Sequence, residues 1–497
     1  MTYEQSVRYL LTLGRELASP QQARAAKFDL ENIRVLSARL GNPERAFRSV
    51  HVAGTNGKGS TSAMLASILN AAGLRAGLYT SPHLVRINER IRLGDTDISD
   101  DDFAATFTRI HAAIEELLAT GALIAHPTYF ECVTAMAFDY FARQQTDIAV
   151  IEVGMGGRLD STNIIVPEVA VITQIDFDHE NFLGHSIEEI AAEKAGIIKP
   201  GAWVVSAAGH AAAAQVVRRR AAEQNARLIE LDTAYSVCVA TRDVCGSRLQ
   251  PRHDAKEINP ALAAEAPSVK LSPTLWVPEI GSASGCYRFI ATENGSKWQI
   301  EITLPLAGRF QVQNALAAIA AARLLAERGF PINDAAIARG LASVRWPGRL
   351  ERVLDRPAVY LDGTHNPAGA RELAAFWEEQ FAGRRIHLIY GAMRDKAVDE
   401  IAGLLFPRAA SVILTQSPQP RSISAATLAS LTRHLASSLE VIPEPGAAVE
   451  RALELAAPDD VVFATGSLYF AGDLRRHWDQ DTSGGPNLPN RLTRLVK

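Results

Sequence analysis

The segment His51–Ser60, which contains three glycines and one lysine, constrains the fold of this chain more than any other stretch. It follows an apolar, β-branched run that predicts a strand, and it precedes a helical run that begins at Thr61. Its glycines let backbone N–H groups approach an anion closely, and Lys58 adds a positive charge. The segment therefore predicts a phosphate-binding loop for a nucleoside triphosphate. The residues of this loop are Gly54, Thr55, Asn56, Gly57, Lys58, Gly59, Ser60 and Thr61.

The spacing of this loop differs from the common G-x-x-x-x-G-K-[ST] form. Gly59 separates Lys58 from Ser60, and Val52 stands where the first glycine of the common form would be. A glycine-rich turn without a ligand is the alternative. Gly-Lys-Gly-Ser at a junction of strand and helix argues against that alternative, because this is the context that a phosphate site requires.

Two later apolar runs in the N-terminal half end in polar side chains. The run 147–154 carries Glu152 near its end, and the run 169–175 leads into Asp176, Asp178 and His179. The carboxyl ends of parallel strands form the ligand-binding edge of an open α/β sheet. Carboxylates beside a phosphate loop suit a Mg²⁺ ion bound to a triphosphate. The sequence therefore predicts a magnesium site at this edge.

Three further features leave their roles open. Residues 81–90 are too polar for a central strand and predict a loop that reaches a ligand, with a solvated surface turn as the alternative. Thr128 and Glu131 fall at a predicted helix start, where a glutamate commonly compensates the helix dipole. Lys194 lies on or beside the apolar face of a predicted helix over 186–198, so it snorkels to solvent, pairs with an acid, or is modified.

The C-terminal part alternates strands and helices from Ala358 onwards, which predicts a second, doubly wound parallel sheet. Asp362 and His365 follow its first strand. The break at 346–348 is the candidate hinge. We expect a domain at 1–343 with a variable insertion at about 235–300, a second domain at 344–480 and a loose tail at 481–497.

Composition excludes several classes of protein. The net charge of −4 gives no electrostatic reason to expect nucleic acid or a membrane surface as a partner. The chain has no apolar run long enough to span a membrane, and its N-terminus lacks the features of a signal peptide. Its four cysteines show no metal-binding spacing and fit a reducing compartment. We therefore expect a cytoplasmic protein, acting as a monomer on small molecules.

These motifs together resemble those of the folylpolyglutamate synthase and dihydrofolate synthase family, which is related to the muramyl peptide ligases. The resemblance covers nearly the whole chain except roughly 235–300 and the tail. It implies a P-loop ATPase-like central domain and a smaller C-terminal Rossmann-like domain. It also implies an ATP-dependent ligase that joins L-glutamate to the carboxylate of dihydropteroate, of a reduced folate, or of both, through an acyl phosphate. The segments that carry it are 51–60, 80–91, 152–163, 178–199 and 362–367.

The resemblance also implies roles for individual residues. Lys58, Lys194 and His365 correspond to catalytic positions, with Lys194 carried as a carbamate. Two Mg²⁺ ions are implied, with Ser60, Ser81, Glu152 and His179 among their ligands. The implied contacts to ATP outside the loop are Asn314, Arg349 and Asp362. The implied pterin-side pocket consists of Thr128, Tyr129, Phe130, Glu131, Leu159, Asp160 and Ser161.

Two other functions use a similar loop. A P-loop kinase or switch leaves the second Rossmann-like half, with Asp362 and His365, unexplained. A muramyl-type ligase usually carries a separate uridine-nucleotide-binding domain first, and the 47 residues before the first strand are too few for one. The folate ligase is therefore the function that the sequence favours.

Overall fold

A large mixed sheet forms the centre of the N-terminal half. The computed structural model describes residues 1–13, 29–178, 180–239, 286–394 and 396–482. The strand order of this sheet is β4-β3-β2-β5-β1-β6-β7-β8, parallel except for β3 and β4 at one edge. Its strands are β1 (Arg48–Ala53), β2 (Ala76–Tyr79), β3 (Ile91–Leu93), β4 (Thr96–Asp97), β5 (Ile148–Glu152), β6 (Val169–Ile172), β7 (Trp203–Ser206) and β8 (Arg227–Glu230).

The central strands of this sheet are buried along almost their whole length. Every residue of β5 and β6 is buried, as is every residue of β1 except Arg48, which is the pattern of parallel strands covered by helices on both faces. The helices of this half are α1 (Tyr3–Thr12), α2 (Glu31–Arg39), α3 (Lys58–Ala71), α4 (Asp100–Ala119), α5 (Tyr129–Arg143), α6 (Glu180–Leu183), α7 (Ile187–Ala195), α8 (Ala211–Glu223), α9 (Leu231–Ala234), α10 (Phe310–Glu327) and α11 (Asp334–Ser343).

The order of the strands decides which loops meet. Strands β2, β5, β1 and β6 are consecutive neighbours, and they pair in parallel. Their carboxyl ends therefore place the start of the 81–90 loop, Glu152, the phosphate loop and Asp176 side by side. After β1 the chain builds β2 and β5 on one side of that strand, and it then crosses to build β6 on the other side. A reversal of strand order at this point opens a binding crevice in α/β sheets.

A small antiparallel sheet packs against α10 from the side. Its strands are β9 (Tyr235–Val239), β10 (Tyr287–Glu293) and β11 (Gln299–Leu304), in the order β11-β10-β9. Phe289 and Ile302 join one buried cluster with Ala315 of α10 and Met64 of α3. These strands occupy the predicted insertion at about 235–300, whose residues 240–285 lie outside the described residues.

A second open sheet forms the C-terminal half. Its order is β12-β13-β17-β14-β15-β16. Its strands are β12 (Glu351–Asp355), β13 (Ala358–Leu361), β14 (Ile386–Tyr390), β15 (Ser411–Leu414), β16 (Leu439–Val441) and β17 (Val461–Thr465). Its helices are α12 (Pro367–Gln380), α13 (Val398–Leu405), α14 (Ala425–Thr432), α15 (Pro445–Leu455) and α16 (Leu468–Thr482).

Two details of this half differ from the sequence expectation. The sheet carries an antiparallel edge strand, β12, which the predicted all-parallel sheet lacks. The last helix continues to Thr482, two residues beyond the predicted domain end at 480, and Phe470, Ala471 and Leu474 in its first turns are buried. In the part of the chain that is described, no helix is long and apolar enough to cross a membrane.

Candidate active site

The phosphate loop lies close to the segment that follows β6 and to the side chain of Asn314 in α10. Thr55 N–H donates to the carbonyl of Gln174 at 2.7 Å. Gly54 has φ of +153°, and a Cβ there would lie 1.8 Å from Thr173 Oγ1. Gly57 has φ of +85°, and a Cβ there would lie 2.1 Å from Asn314 Oδ1. Both positions thus require glycine, and Asn314 is brought directly to the loop from α10.

Gly59, the residue that displaces the common spacing, faces the indole of Trp346. A Cβ at Gly59 would lie 3.0 Å from Trp346 Cζ2, which is tighter than an ordinary contact. Gly59 thus leaves room for the Trp346 side chain of the hinge segment, and its backbone does not adopt a positive φ. Trp346 lies in the predicted hinge at 346–348, and its contact with the loop is not predicted by the sequence, because no local pattern links residues this far apart.

Two lysines donate to the same carbonyl of the loop. Lys58 Nζ donates to the carbonyls of Gly54 and Thr55, both at 3.0 Å, and Lys194 Nζ donates to the carbonyl of Gly54 at 2.8 Å. Lys194 is 3% exposed, so it does not snorkel to solvent. Burial lowers the pKa of Lys58. Burial and the charge of Lys58 lower the pKa of Lys194 to about 7.

Glu152 and Ser81 meet at the ends of β5 and β2. The Ser81 N–H donates to Glu152 Oε2 at 3.1 Å. Burial raises the pKa of Glu152 to about 7, against the charge of Lys58 and the Ser81 hydrogen bond. Glu152 is therefore a buried carboxylate whose negative charge the protein alone compensates only in part. Ser60, in the first turn of α3, is also buried.

The linker and the second domain supply Arg349 and Asp362. Asp362 accepts hydrogen bonds from the N–H groups of Leu350 and Thr364, both at 2.9 Å, so it ties the linker to the loop after β13. Arg349 Nη1 donates to the carbonyl of Gly348 at 3.1 Å. Burial lowers the pKa of Arg349, while Asp362 and Glu152 oppose this shift by their charge. Arg349 thus acts electrostatically on both domains.

A charged cluster joins the two domains beside the loop. Lys396 Nζ lies 3.1 Å from Asp178 Oδ1, and His365 Nε2 lies 3.9 Å from Asp178 Oδ2. Burial and the charge of Lys396 lower the pKa of His365 to about 4, so its imidazole is neutral at physiological pH. Sequence reasoning missed Lys396. Its position after β14, at the same carboxyl edge of the sheet as His365, is the feature that could have found it.

The metal ligands are only partly within the described residues. His179 lies outside them. Among the residues that are described, no group of three histidine, cysteine or acidic side chains is arranged to hold a metal ion. The oxygen groups of Ser60, Ser81 and Glu152 remain the described members of the predicted magnesium site.

The residues predicted for the pterin side fall in two neighbouring segments. Phe130 lies against Gly154, where a Cβ would be 2.5 Å from its ring, and the Arg90 guanidinium lies 5.4 Å from the centre of the Tyr129 ring. Glu131 Oε2 accepts from the N–H and hydroxyl of Thr128 at 2.7 and 2.9 Å. Glu131 and Thr128 thus form the capping box of α5.

Asp160 has a similar local use. Its carboxylate accepts from the N–H groups of Met155 and Thr162, both at 3.0 Å, and from the Thr162 hydroxyl. It is buried, whereas Leu159 and Ser161 on either side are partly exposed. The hydrogen bonds of Asp160 therefore shape the loop that follows β5.

Comparison with known proteins gives consistent matches over the chain. The model of the Mur ligase middle domain matches residues 52–322, and that of the Mur ligase, glutamate ligase domain matches residues 348–468. Dihydrofolate synthase/folylpolyglutamate synthase of Bacillus subtilis is 36% identical over 90% of this chain and 94% of its own length. Folylpolyglutamate synthase of Lacticaseibacillus casei is 33% identical over 96% of this chain and 98% of its own length.

Solved structures agree with these sequence matches. Mycobacterium tuberculosis folylpolyglutamate synthase complexed with ADP superimposes with a TM-score of 0.78 at 30% identity, covering 96% of this chain and 98% of that chain. A folylpolyglutamate synthase complex with AMPPCP and folate gives a TM-score of 0.75 at 32% identity, covering 96% and 99%.

Proposed function

This chain belongs to the Mur ligase family, among the folylpolyglutamate and dihydrofolate synthases, and from that membership we propose that it joins L-glutamate to dihydropteroate and to folyl-glutamates. In the first step a substrate carboxylate oxygen attacks the γ-phosphorus of ATP, and ADP leaves. The glutamate amino group then attacks the acyl carbon, loses a proton and expels phosphate. The product is an amide.

One observation carries this proposal: the phosphate loop faces a charged cluster supplied by the second domain. Lys58 and Lys194 share one loop carbonyl, and the Asp178–Lys396 ion pair with His365 lies beside them. Phosphoryl transfer depends on positioning and on the neutralisation of charge rather than on covalent catalysis. A kinase-like use of the loop would not require the second domain at this place.

Lys58, Arg349 and Asn314 suit the nucleotide. Lys58 is half-buried near Glu152, and its ammonium group can turn from the loop carbonyls to a γ-phosphate oxygen. Arg349 comes from the linker, and Asn314 from α10. We propose that Asp362 positions the linker that carries Arg349, because its two carboxylate oxygens accept hydrogen bonds from the N–H groups of Leu350 and Thr364. His365, neutral and beside Asp178, suits contact with phosphate or with the incoming glutamate.

The residues present fit magnesium. Glu152 is a buried carboxylate with a raised pKa, which a cation would stabilise in its charged form. Ser60, Ser81 and Glu152 offer the oxygen ligands that Mg²⁺ prefers, and His179 would serve a second ion. When bound, Mg²⁺ neutralises charge on the triphosphate. In its absence the chain itself holds Glu152 through the Ser81 N–H.

Lys194 has the chemistry that carbamate formation requires. Its amine is buried and donates to the Gly54 carbonyl, and its pKa, lowered to about 7 by burial, leaves a substantial unprotonated fraction near neutral pH. An unprotonated Nζ attacks the carbon of CO₂, one C=O electron pair moves to oxygen, and a proton leaves to solvent. The product is an anion, which suits a site crowded with Lys58 and a metal. ¹³C NMR with labelled bicarbonate should show a carbamate signal that is lost in Lys194→Arg; an unchanged spectrum would contradict the assignment.

The pterin side is formed by the segments 128–131 and 159–161. The Phe130 ring lies against Gly154, in the loop that follows Glu152, and the neighbouring Tyr129 ring is buried beside Arg90; aromatic rings at this place suit a flat ring system. Glu131 and Asp160 are positioned by local hydrogen bonds, so we propose that they shape the pocket through Thr128 and the 154–162 loop. Leu159 and Ser161 are partly exposed at the same place.

The experiment that tests the function measures ADP release with each substrate omitted in turn. Release should require Mg²⁺, L-glutamate and either dihydropteroate or tetrahydrofolate together. Activity with both acceptors supports both ligations, and activity with one identifies which is present. Turnover that does not depend on glutamate would overturn the proposal.

We also propose that the enzyme acts in the cytoplasm as a monomer on small-molecule substrates. The described cysteines, Cys132, Cys238 and Cys286, are free thiols, as expected for a reducing compartment. Size-exclusion chromatography with light scattering would test the monomer, and a dimer mass would contradict it.

A further inference from the structure

Two asparagine side chains pair across the domain interface at the phosphate loop. Asn366 Nδ2 donates to Asn56 Oδ1 at 2.9 Å, and Asn56 Nδ2 returns a longer hydrogen bond to Asn366 Oδ1 at 3.4 Å. The two residues are 310 positions apart in the sequence. Asn366 is buried and Asn56 is half-buried. A buried amide is costly when unpaired, so each side chain stabilises the other only when the domains meet.

The orientation of the Asn366 amide is fixed by a second hydrogen bond. Asn366 is the N-cap of α12, and its Oδ1 accepts from the Gly369 N–H at 2.8 Å. Exchanging its oxygen and nitrogen would aim an N–H group at that N–H. The cap therefore directs Nδ2 towards Asn56, while the second lone pair of Oδ1 remains available for the return bond.

Asn56 is equally constrained on its own side. Its carbonyl accepts from Thr173 Oγ1 at 2.8 Å, and Gly57, with φ of +85°, follows it directly. Two other contacts join the same surfaces: Arg371 of α12 with Asp176 at 3.1 Å and Lys396 with Asp178 at 3.1 Å. Those contacts reach residues beyond β6. The asparagine pair is the one among these three that joins the phosphate loop itself to the loop bearing His365.

We propose that the Asn56–Asn366 pair is a closure latch that positions the His365 loop over the phosphate loop for phosphoryl transfer. Asn366 is accordingly a positioning residue that acts through Asn56 and His365. The inference rests on the proposed function, because it assigns the latch to the closed, ATP-bound state of that ligase. A displacement of reacting groups by about 1 Å can lower a rate by about 100-fold, so a latch of this kind affects kcat more than substrate affinity.

The substitution Asn366→Ser separates the two roles of this side chain. Serine is a good N-cap, so it can still accept from the Gly369 N–H, but it is too short to reach Asn56. Asn333 offers a matched control: it caps α11 by accepting from the Ala336 N–H at 2.9 Å, and its side chain has no part in the asparagine pair. Asn333→Ser should leave kcat unchanged.

Asn366→Ser should lower kcat by about 10- to 100-fold, with a change of less than about threefold in the KM for ATP. Asn56→Ala should cause a similar loss. The double variant should be no slower than the slower single variant, because each substitution removes the same pair. Losses that multiply, or a kcat of Asn366→Ser within twofold of Asn333→Ser, would overturn the latch.

A second measurement separates this inference from the proposed function. Small-angle X-ray scattering with Mg²⁺ and AMPPCP needs no turnover. Asn366→Ser should be more extended than the wild type and Asn333→Ser, and identical profiles would overturn the latch. Absence of glutamate-dependent ADP release in the wild type would instead overturn the proposed function, and the scattering comparison would still decide whether the pair holds the domains together.

Discussion

The two edges of the eight-stranded sheet use charged residues in different ways. At the amino edge, before β1 and β6, Glu168 accepts hydrogen bonds from Arg48 and Arg328. The guanidinium groups of Arg227 and Arg328 lie 4.6 and 5.1 Å from the centre of the Trp203 ring. Burial raises the pKa of Glu168, but the bonds from its two arginines outweigh this and hold that pKa below its usual value.

At the carboxyl edge of the same sheet, two buried ammonium groups donate to a backbone carbonyl instead of a carboxylate. Lys58 and Lys194 donate to one neutral carbonyl, and burial lowers the pKa of both. Arg349 also has a lowered pKa, and burial is again its main cause. Buried cations of this kind lower the stability of the protein without a ligand, and a bound anion would compensate their charge. The ion pairs of Glu168 stabilise the fold. The two lysines at the strand ends, which donate to a carbonyl instead of a carboxylate, indicate where a polyanion binds.

The largest effect that we expect comes from Lys58→Ala. Removing this ammonium group should lower kcat for ATP-dependent ligation by at least about 1,000-fold, because charge on the transferring phosphoryl group loses its partner. The unfolding transition in urea should remain cooperative. If Lys58→Ala released ADP as fast as the wild type, the phosphate loop at the carboxyl edge of the sheet would have no part in the reaction.

Lys194→Met should abolish ligation and yet stabilise the protein. In bicarbonate-free buffer at pH 7 the free energy of unfolding should rise by about 1–3 kcal/mol, since an apolar side chain replaces a buried amine. The folded-state pKa of Lys194, about 7, is below its ordinary 10.5, so only the unfolded chain keeps the proton between these values. Wild-type stability therefore increases with pH in this window, and the advantage of the variant should shrink as pH rises. If Lys194→Met were less stable than the wild type, the proposed contrast between the amino and carboxyl edges of the sheet would be wrong.

Glu168→Gln tests the amino edge. It should lower the free energy of unfolding by about 1–3 kcal/mol at pH 7, because two charge-assisted hydrogen bonds are weakened, and it should leave kcat within twofold. Glu168 has a depressed pKa, so its contribution is present above about 4.5 and is lost as pH falls through its folded-state pKa. Urea titrations at pH 7 and at pH 3.5 should show the difference from wild type shrinking. An equal difference at both pH values would show that the charge of Glu168 is not its cause.

Arg371→Ala should have the smallest effect. Its ion pair with Asp176 joins the domains, but its side chain is 54% exposed, and exposed pairs contribute only about 0.2–1 kcal/mol. We expect kcat/KM to fall by less than about fivefold, and by less still in 0.5 M salt. Arg408→Ala, which breaks an exposed pair with Glu378 elsewhere in the second domain, is the control. A loss comparable with that of Lys58→Ala would show that this pair belongs to the active site.

Much of this architecture is encoded locally. The alternation of strands and helices expected from Ala358 onwards is confirmed, beginning with the strand at Ala358–Leu361 and continuing through the strand at Ile386–Tyr390 and the helix at Val398–Leu405. The β-strand at Glu351–Asp355 was missed, because three of its five residues are charged and it lies at a sheet edge. Its pairing depends on β13 rather than on a pattern of its own.

The sequence alone determined that a glycine-rich loop with Lys58 follows a buried strand, and that acids such as Glu152 lie at neighbouring strand ends. Those features depend on spacing within a few residues and on the regular geometry of parallel sheets. Only the tertiary structure decided that Lys58 and Lys194 share a carbonyl, that Trp346 lies against Gly59, and that Asn366 meets Asn56. These contacts join residues more than 100 positions apart, and they depend on how helices and domains pack rather than on any local preference of the chain.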